Sequence, residues 1–264
     1  MITPTKPYFK KSFREDDFKG WFHQQQTSPM VVSQPKVCIA LVSGGIDSPV
    51  AVARMLNQGW IVHCLHFSQE EITGPKPEEK TIALLRFLLS KEGNIGDLAR
   101  INLNKTLTIV PISQQLSKFT EKWSHTEYFI HMKRMFHRIG DIVGKQKGAT
   151  HILTGENLGQ VSSQTLGNLG AIEQMSSLIP LRPLLAFDKR YIIDMARDLG
   201  TYDISVGVEV CDALGPNRPT TVANKEWLEK SEERAGGMES LCQEAKAKSY
   251  IMILAQLQAR HLLC

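Results

Sequence analysis

The stretch VCIALVSGGIDSPVA, residues 37–51, decides the fold of this chain. Residues 37–42 form a continuous apolar run with β-branched members, the pattern of a strand buried on both faces. Residues 43–48, SGGIDS, make a glycine-rich turn, and residues 49–57 read as a helix. In such a turn Gly44 and Gly45 let the backbone approach a ligand with no Cβ in the way. Successive backbone N–H groups form an anion cradle, and the helix N-terminus adds its positive dipole end. Ser43 and Ser48 can donate hydroxyl hydrogen bonds. Asp47 would be repelled by phosphates unless a cation lay between them, so it points to a magnesium-bound pyrophosphate. No Gly-Lys-Ser/Thr follows, so this is not the Walker motif, and the spacing does not fit the GxGxxG dinucleotide turn. The plain alternative is an ordinary βα turn in which Asp47 caps the helix.

Outward from this stretch, apolar strands alternate with helical patterns. Residues 60–67, 107–111 and 151–154 read as further strands. Residues 178–184 read as a short one that Pro180 and Pro183 confine to a sheet edge. Helices are expected over residues 80–91, over 126–147 with Gly148 closing it, and from the cap Asp188 to Leu199 with Gly200 closing it. Alternation of this kind implies βαβ units, hence an α/β, Rossmann-like parallel sheet with helices on both faces. Ligands bind such sheets beyond the carboxyl ends of the strands. That rule sets Ser43–Ser48, His66–Phe67 and the segment Gly155–Gln164 along one edge. Residues 154–169, TGENLGQVSSQTLGNL, follow the fourth strand. Gly155 and Gly159 allow close backbone approach. Gln160 and Gln164 are expected on adjacent turns of a helix, with amides able to read an adenine edge or a phosphate.

The remainder of the chain divides around this domain. Residues 1–35 are expected to be an N-terminal extension and linker, 36–220 the main domain, and 221–264 a helical C-terminal extension. Two helices joined near Gly236–Gly237 would form that extension, a solvated cap. With 264 residues and 42% of them hydrophobic, the chain has enough material for one sizeable core. It shows no apolar run of membrane-spanning length and no signal-peptide pattern near Met1, so a cytoplasmic protein with no membrane partner is expected. Its five cysteines are odd in number and include no CxxC pair, which argues against a disulfide framework or a zinc knuckle. Cys38 and Cys64 fall in buried strands and read as core. A net charge of +4 fits RNA binding without demanding it.

SGGIDS after a first buried strand resembles the hallmark of the PP-loop ATP-pyrophosphatases, the adenine nucleotide alpha hydrolase-like fold. That resemblance implies cleavage of ATP between its α and β phosphates and transfer of AMP to a substrate oxygen. The segment TGENLGQVSSQTLGNL is similar to the signature of ThiI-type tRNA 4-thiouridine synthetases. So are SGGIDSPVA (43–51), MKRMFHRIGDIVGKQKGA (132–149) and LRPLLAFDKRYIIDMARDLGTYDIS (181–205). The resemblance spans about residues 37–225. It implies that Leu41, Val42, Ser43, Gly44, Gly45, Ser48, His66, Phe67, Lys133, Gly155 and Gln164 contact the nucleotide. The backbone of His66 and Phe67 would read adenine, so His66 is not expected to be a general base. Arg134 and Gln160 are weaker candidates for contact with substrate. The family usually has Arg-Arg where this chain has Lys133–Arg134, which keeps the charge and loses one bidentate fork.

The same resemblance implies that Asp47 serves catalysis through magnesium carried by ATP. It implies that Cys211, in a loop with Gly207, Gly215 and Pro216 nearby, takes part in sulfur transfer. The expected product is 4-thiouridine in tRNA. The sulfur would come from a persulfide donor, such as a cysteine desulfurase or a rhodanese protein, or from free sulfide. Family members usually carry a THUMP domain for tRNA, and some a rhodanese domain. The residues before position 37 are too few for the former, so a separate THUMP-type RNA-binding subunit or a homodimer would supply RNA capture. Two other readings stand beside this one: a PP-loop adenylating ligase or amidotransferase-like enzyme, and a non-catalytic ATP-binding subunit of a tRNA-modifying complex.

Overall fold

The apolar runs pair side by side, with the strand of residues 37–41 near the middle. The computed structural model describes residues 35–206 and 214–254. β1 (Val37–Leu41) lies between β2 (Ile61–Ser68) and β4 (His151–Leu153), parallel to both. β3 (Leu103–Pro111) continues the sheet beyond β2, and β5 (Ile179–Leu181) ends it beyond β4, both parallel. The order is β5-β4-β1-β2-β3-β6. Pro180 thus sits on an edge strand, where a missing N–H is tolerated. Successive strands run outward from β1 in opposite directions, so the carboxyl ends of β1 and β4 flank the topological switch point.

Helices cover both faces, as expected. On one face α1 (Asp47–Asn57), α2 (Lys76–Ser90) and α3 (Asn94–Asn102) pack together. On the other, α4 (Tyr128–Gln146) lies across β1, β2 and β4, with α5 (Leu166–Glu173) against it. α6 (Lys189–Leu199) returns to pack on α1. Ile39, Leu65 and Val110 of the sheet meet Met135, Ile139 and Val143 of α4 in the main core. Each such side chain, fully buried, stabilises the fold by roughly 1.5–3 kcal/mol. Asp188 caps α6 as expected, its Oδ1 accepting from the Arg190 N–H at 2.9 Å.

The C-terminal segment forms α7 (Lys225–Arg234) and α8 (Met238–Ala247), with Gly236 and Gly237 between them at positive φ. It is not wholly helical, which corrects the expectation. β6 (Tyr250–Ile253) pairs antiparallel with β3, Leu107 opposite Met252, and occupies an edge that would otherwise carry unpaired backbone groups. A second correction concerns residues 154–165. No α-helix carries Gln160 and Gln164; Gln160 lies in a loop and Gln164 ends a 3-10 turn, Ser162–Gln164. The α-helix begins only at Leu166, where Thr165 accepts from the Asn168 N–H. The expected extension over residues 1–35 lies outside the described residues except for its last position. Cys211 and Cys264 lie outside them as well.

Candidate functional site

The turn after β1 is held in shape by its own serines. The Ser48 hydroxyl donates to the Ser43 carbonyl at 2.9 Å and accepts from the Ser43 N–H at 3.0 Å. Ser48 therefore braces the loop, where the sequence suggested a donor to ligand. Ile46 occupies the N-cap position of α1, and no side chain caps that helix. The first N–H groups of α1 therefore keep their donor capacity and dipole at the mouth of the turn, as an anion site requires. Asp47 is the first residue of α1 and does not serve as its cap. Its carboxylate is gripped by Lys189, whose Nζ donates to Oδ1 at 2.6 Å and to Oδ2 at 2.8 Å. Nothing in the sequence marks Lys189 for this role. A lysine beside the capping Asp188 looks like an ordinary first-turn residue, and only the packing of α6 on α1 brings it to Asp47.

This turn forms one wall of a cavity of about 300 Å³ at the carboxyl ends of β1, β2 and β4. Leu41, Val42, Ser43, Gly44, Gly45, Asp47 and Ser48 contribute from the first motif. His66 and Phe67 contribute from the end of β2, Lys133 from α4, and Gly155 and Gln164 from the segment after β4. Residues from all the motif blocks but the last thus meet in one place. Gly155 is required there: a Cβ on it would lie 2.9 Å from the backbone carbonyl carbon of Asp47 and from the Ser48 nitrogen. Gly159 is used differently from the expected close approach. A Cβ there would meet nothing, but its φ of 74° belongs to the left-handed region.

The cavity has an apolar half and a charged half. Phe67 and Phe136 stack with centroids 4.1 Å apart, and Leu41, Val42 and Met132 line the cavity beside them. The His66 Nδ1–H donates to the Val42 carbonyl at 3.0 Å, and burial lowers the pKa of the ring. The Gln164 Oε1 is buried without a partner among the described residues, and its side chain lines the cavity. Such an orphaned acceptor suits a polar ligand. Gln160 also has a buried, unpartnered Nε2 among the described residues, but it does not line the cavity.

At the charged end Glu156 organises the floor. Its Oε1 accepts from the Lys133 Nζ at 3.0 Å, and its Oε2 from the Arg182 Nε at 2.9 Å and the Thr154 hydroxyl at 3.1 Å. Burial alone would raise its pKa, yet Lys133 and Arg182 hold it at about 2. Arg182 reaches Glu173 as well, at 2.8 Å. His137 lines the same floor, and burial pushes its ring down to about 4. Neither Glu156 nor Arg182 was singled out from sequence, although Arg182 stands alone among apolar neighbours in LIPLRPLLAF. Arg134 corrects an expectation. Its guanidinium turns away from the cavity, donates to both Glu232 oxygens and to the Ala171 carbonyl, and is 5% exposed. The helix period points Lys133 to the cavity and its neighbour Arg134 to the buried side of α7.

Among the described residues no cluster of three or more His, Cys, Asp or Glu could hold a metal ion. The Asp47 carboxylate, at the start of α1 and on the cavity wall, suits a magnesium held chiefly by phosphates. Cys38 and Cys242 are buried, and burial drives both thiols to about 12; Cys64 is driven up as well. These are inert core cysteines. No helix among the described residues is long and apolar enough to cross a membrane.

The family model described as thiamine biosynthesis protein (ThiI) matches residues 33–236, which include every element that lines the cavity. The chain belongs to the ThiI family. Among ThiI relatives, a probable tRNA sulfurtransferase of Staphylococcus saprophyticus is 38% identical over 197 residues, covering 74% of this chain and 46% of that protein. One of Acetivibrio thermocellus, of the same description, is 32% identical over 220 residues, covering 83% of this chain and 53% of that protein. The chain thus spans about half the length of the ThiI relatives it matches. The fold matches a crystal structure of a 4-thiouridine synthetase–RNA complex with bound ATP. The TM-score is 0.74 and the identity 31%, over 82% of this chain and 55% of that one.

Proposed function

We propose that this ThiI-family chain binds ATP in the cavity and adenylates a tRNA uridine so that sulfur replaces its 4-oxygen. The observation that carries this is the meeting in one cavity of an uncapped helix N-terminus, Asp47 (held from outside by Lys189) and an apolar side that includes the stacked Phe67 and Phe136. The aromatic and aliphatic side suits a purine, and the turn suits its phosphates. ATP in the related RNA complex and the names of the relatives support the same reading.

The uridine O4 attacks the α-phosphorus while the bond from that phosphorus to the bridging oxygen breaks. Pyrophosphate leaves with the bond's electron pair, and the uridine N3 proton is released. The N–H groups of the turn and the cations Lys133 and Lys189 stabilise the charge that develops on the phosphates. Magnesium, when bound, would neutralise part of that charge and orient the phosphates, with Asp47 beside it. Hydrosulfide then attacks C4, the C4–O bond breaks and AMP departs, leaving 4-thiouridine. With a persulfide donor the terminal sulfur attacks C4 and AMP departs, leaving the base joined to the donor by an S–S bond. A thiolate, for which Cys211, outside the described residues, is the candidate, then attacks the donor-side sulfur. The S–S bond breaks, 4-thiouridine leaves with its electron pair, and the new disulfide is reopened by an external dithiol. In the other arrangement Cys211 carries the persulfide and a second thiol makes that attack. A base inside a duplex has to be exposed first. RNA capture falls to an additional RNA-binding domain or subunit, or to a second copy of the chain.

The test combines purified chain, unmodified tRNA, ATP with magnesium, and sulfide, followed by mass spectrometry of the digested nucleosides. The expected result is 4-thiouridine that disappears in Asp47→Asn. Cys211→Ser should fail only when a persulfide donor replaces sulfide. ATP binding without pyrophosphate release on any tRNA would sink the enzymatic reading and leave a non-catalytic ATP-binding subunit.

A further inference from the structure

We propose that Lys80, on α2, is a further binding residue whose ammonium takes the pyrophosphate half of the nucleotide. The inference rests on the reading of the cavity as an ATP site and names a contact that the motifs did not suggest. Lys80 comes from the helix after β2, not from the turn after β1, yet it lines the same cavity. Its stem lies directly on the turn: a Cβ built on Gly44 would be 2.9 Å from the Lys80 Cβ and 3.7 Å from its Cδ. The Pro77 carbonyl of the same helical turn lies 3.0 Å from that point. Gly44 therefore lacks a side chain because the first turn of α2 occupies the space, and Lys80 is carried to the phosphate turn by that contact.

The charges around the cavity separate Lys80 from its neighbours. Lys133 is held by Glu156 at 3.0 Å, and Lys189 by Asp47 at 2.6 Å. Arg182 is held by both Glu156 and Glu173. Among the described residues Lys80 has no ion-pair partner, although it faces the site. A lysine whose stem packs on a turn of backbone donors, without a carboxylate partner among the described residues, is placed for a ligand that brings the negative charge. Pyrophosphate carries more charge once it has left the α-phosphorus. The contact with Lys80 therefore strengthens as the bond breaks and favours the cleaved state. AMP lacks the two phosphates concerned, so it should not feel Lys80.

The experiment is calorimetric titration of the full chain with AMP and with the α,β-methylene analogue of ATP plus magnesium, which cannot be cleaved at that bond. Lys80→Met should weaken the analogue by about ten- to a hundredfold, the range for losing a hydrogen bond to a charged group. Its AMP affinity should stay within about twofold of the unaltered chain, a difference of the size that distant surface changes produce. Lys80→Arg should restore most of the loss, and inorganic pyrophosphate should follow the analogue and not AMP. Equal losses for AMP and the analogue would overturn the proposal, since Lys80 would then only support the pocket. So would an unchanged analogue affinity in Lys80→Met. Absence of binding of either nucleotide to the unaltered chain would remove the ATP reading itself and the proposal with it.

Discussion

Glu156→Gln replaces a carboxylate that two cations share by a neutral group of the same shape. The native carboxyl titrates at about 2, against an ordinary 4.5. A tenfold change in proton affinity corresponds to about 1.36 kcal/mol, so the ionised form is favoured by roughly 3 kcal/mol after burial has been overcome. Removing it also leaves the Lys133 and Arg182 charges without their shared partner, at side-chain exposures of 17% and 11%. Breaking one member of a buried pair typically costs about 3–5 kcal/mol. At roughly 2–4 °C per kcal/mol for a chain of this size, Tm should fall on the order of 10 °C at pH 7. The assay is thermal and urea unfolding of both proteins from pH 7 to pH 2. The sign is fixed by the lowered pKa. The contribution is complete above the unfolded pKa, near 4.5, and is lost as pH falls toward 2. The gap between the two proteins should therefore be constant from pH 7 to about 5 and close below that. A Gln variant as stable as the native chain at pH 7, or a gap that widens in acid, would refute the account of Glu156 as the charge centre of the floor.

His137 should give acid sensitivity in a different window. Its ring is held at about 4, below the ordinary 6.5, so its contribution is present above pH 6.5 and is lost as pH falls toward 4. His137→Leu should flatten the stability–pH curve in that interval by up to roughly 3 kcal/mol; an unchanged slope between pH 6.5 and 4 would show that other groups set it. Arg134→Leu should destabilise by about 3–5 kcal/mol in urea, because Glu232, at 6% exposure, is left in the interior without its guanidinium. AMP titration of the folded Arg134→Leu variant should match the native chain, and a selective loss of affinity would return Arg134 to the nucleotide site.

The parts of this fold that the sequence makes legible are those with a one-dimensional signature. β1 announces itself because a strand covered on both faces needs an unbroken apolar run. The cavity turn does so because glycines at fixed offsets have few other uses. Asp188 and Gly200 mark the ends of α6 by cap chemistry that is local to the chain. What escaped depends on partners far along the chain. β6 (Tyr250–Ile253) lies in a short apolar run, YIMIL, but at four residues and directly after a helical pattern it reads as more helix; β3 makes it a strand by pairing. Lys189 meets Asp47, and Glu156 meets Arg182, only because α6 and β5 bring them there. The loop over residues 154–165 reads as helical from its amides, but Gly159 at positive φ and the Thr165 cap restart the helix at Leu166.

β6 has a bearing on how the chain is made. The strand completes the sheet from a position beyond the residues that the family model matches. During synthesis β3 emerges long before β6, so its outer edge waits with unpaired amides and carbonyls while the intervening helices are still being translated. A bare edge of that kind is a template for pairing with another chain. Ribosomes crowded on one message would hold several such edges close together. The interval before β6 is made and pairs is then the time when this edge is most open to another chain, and slow translation across residues 112–250 would lengthen it.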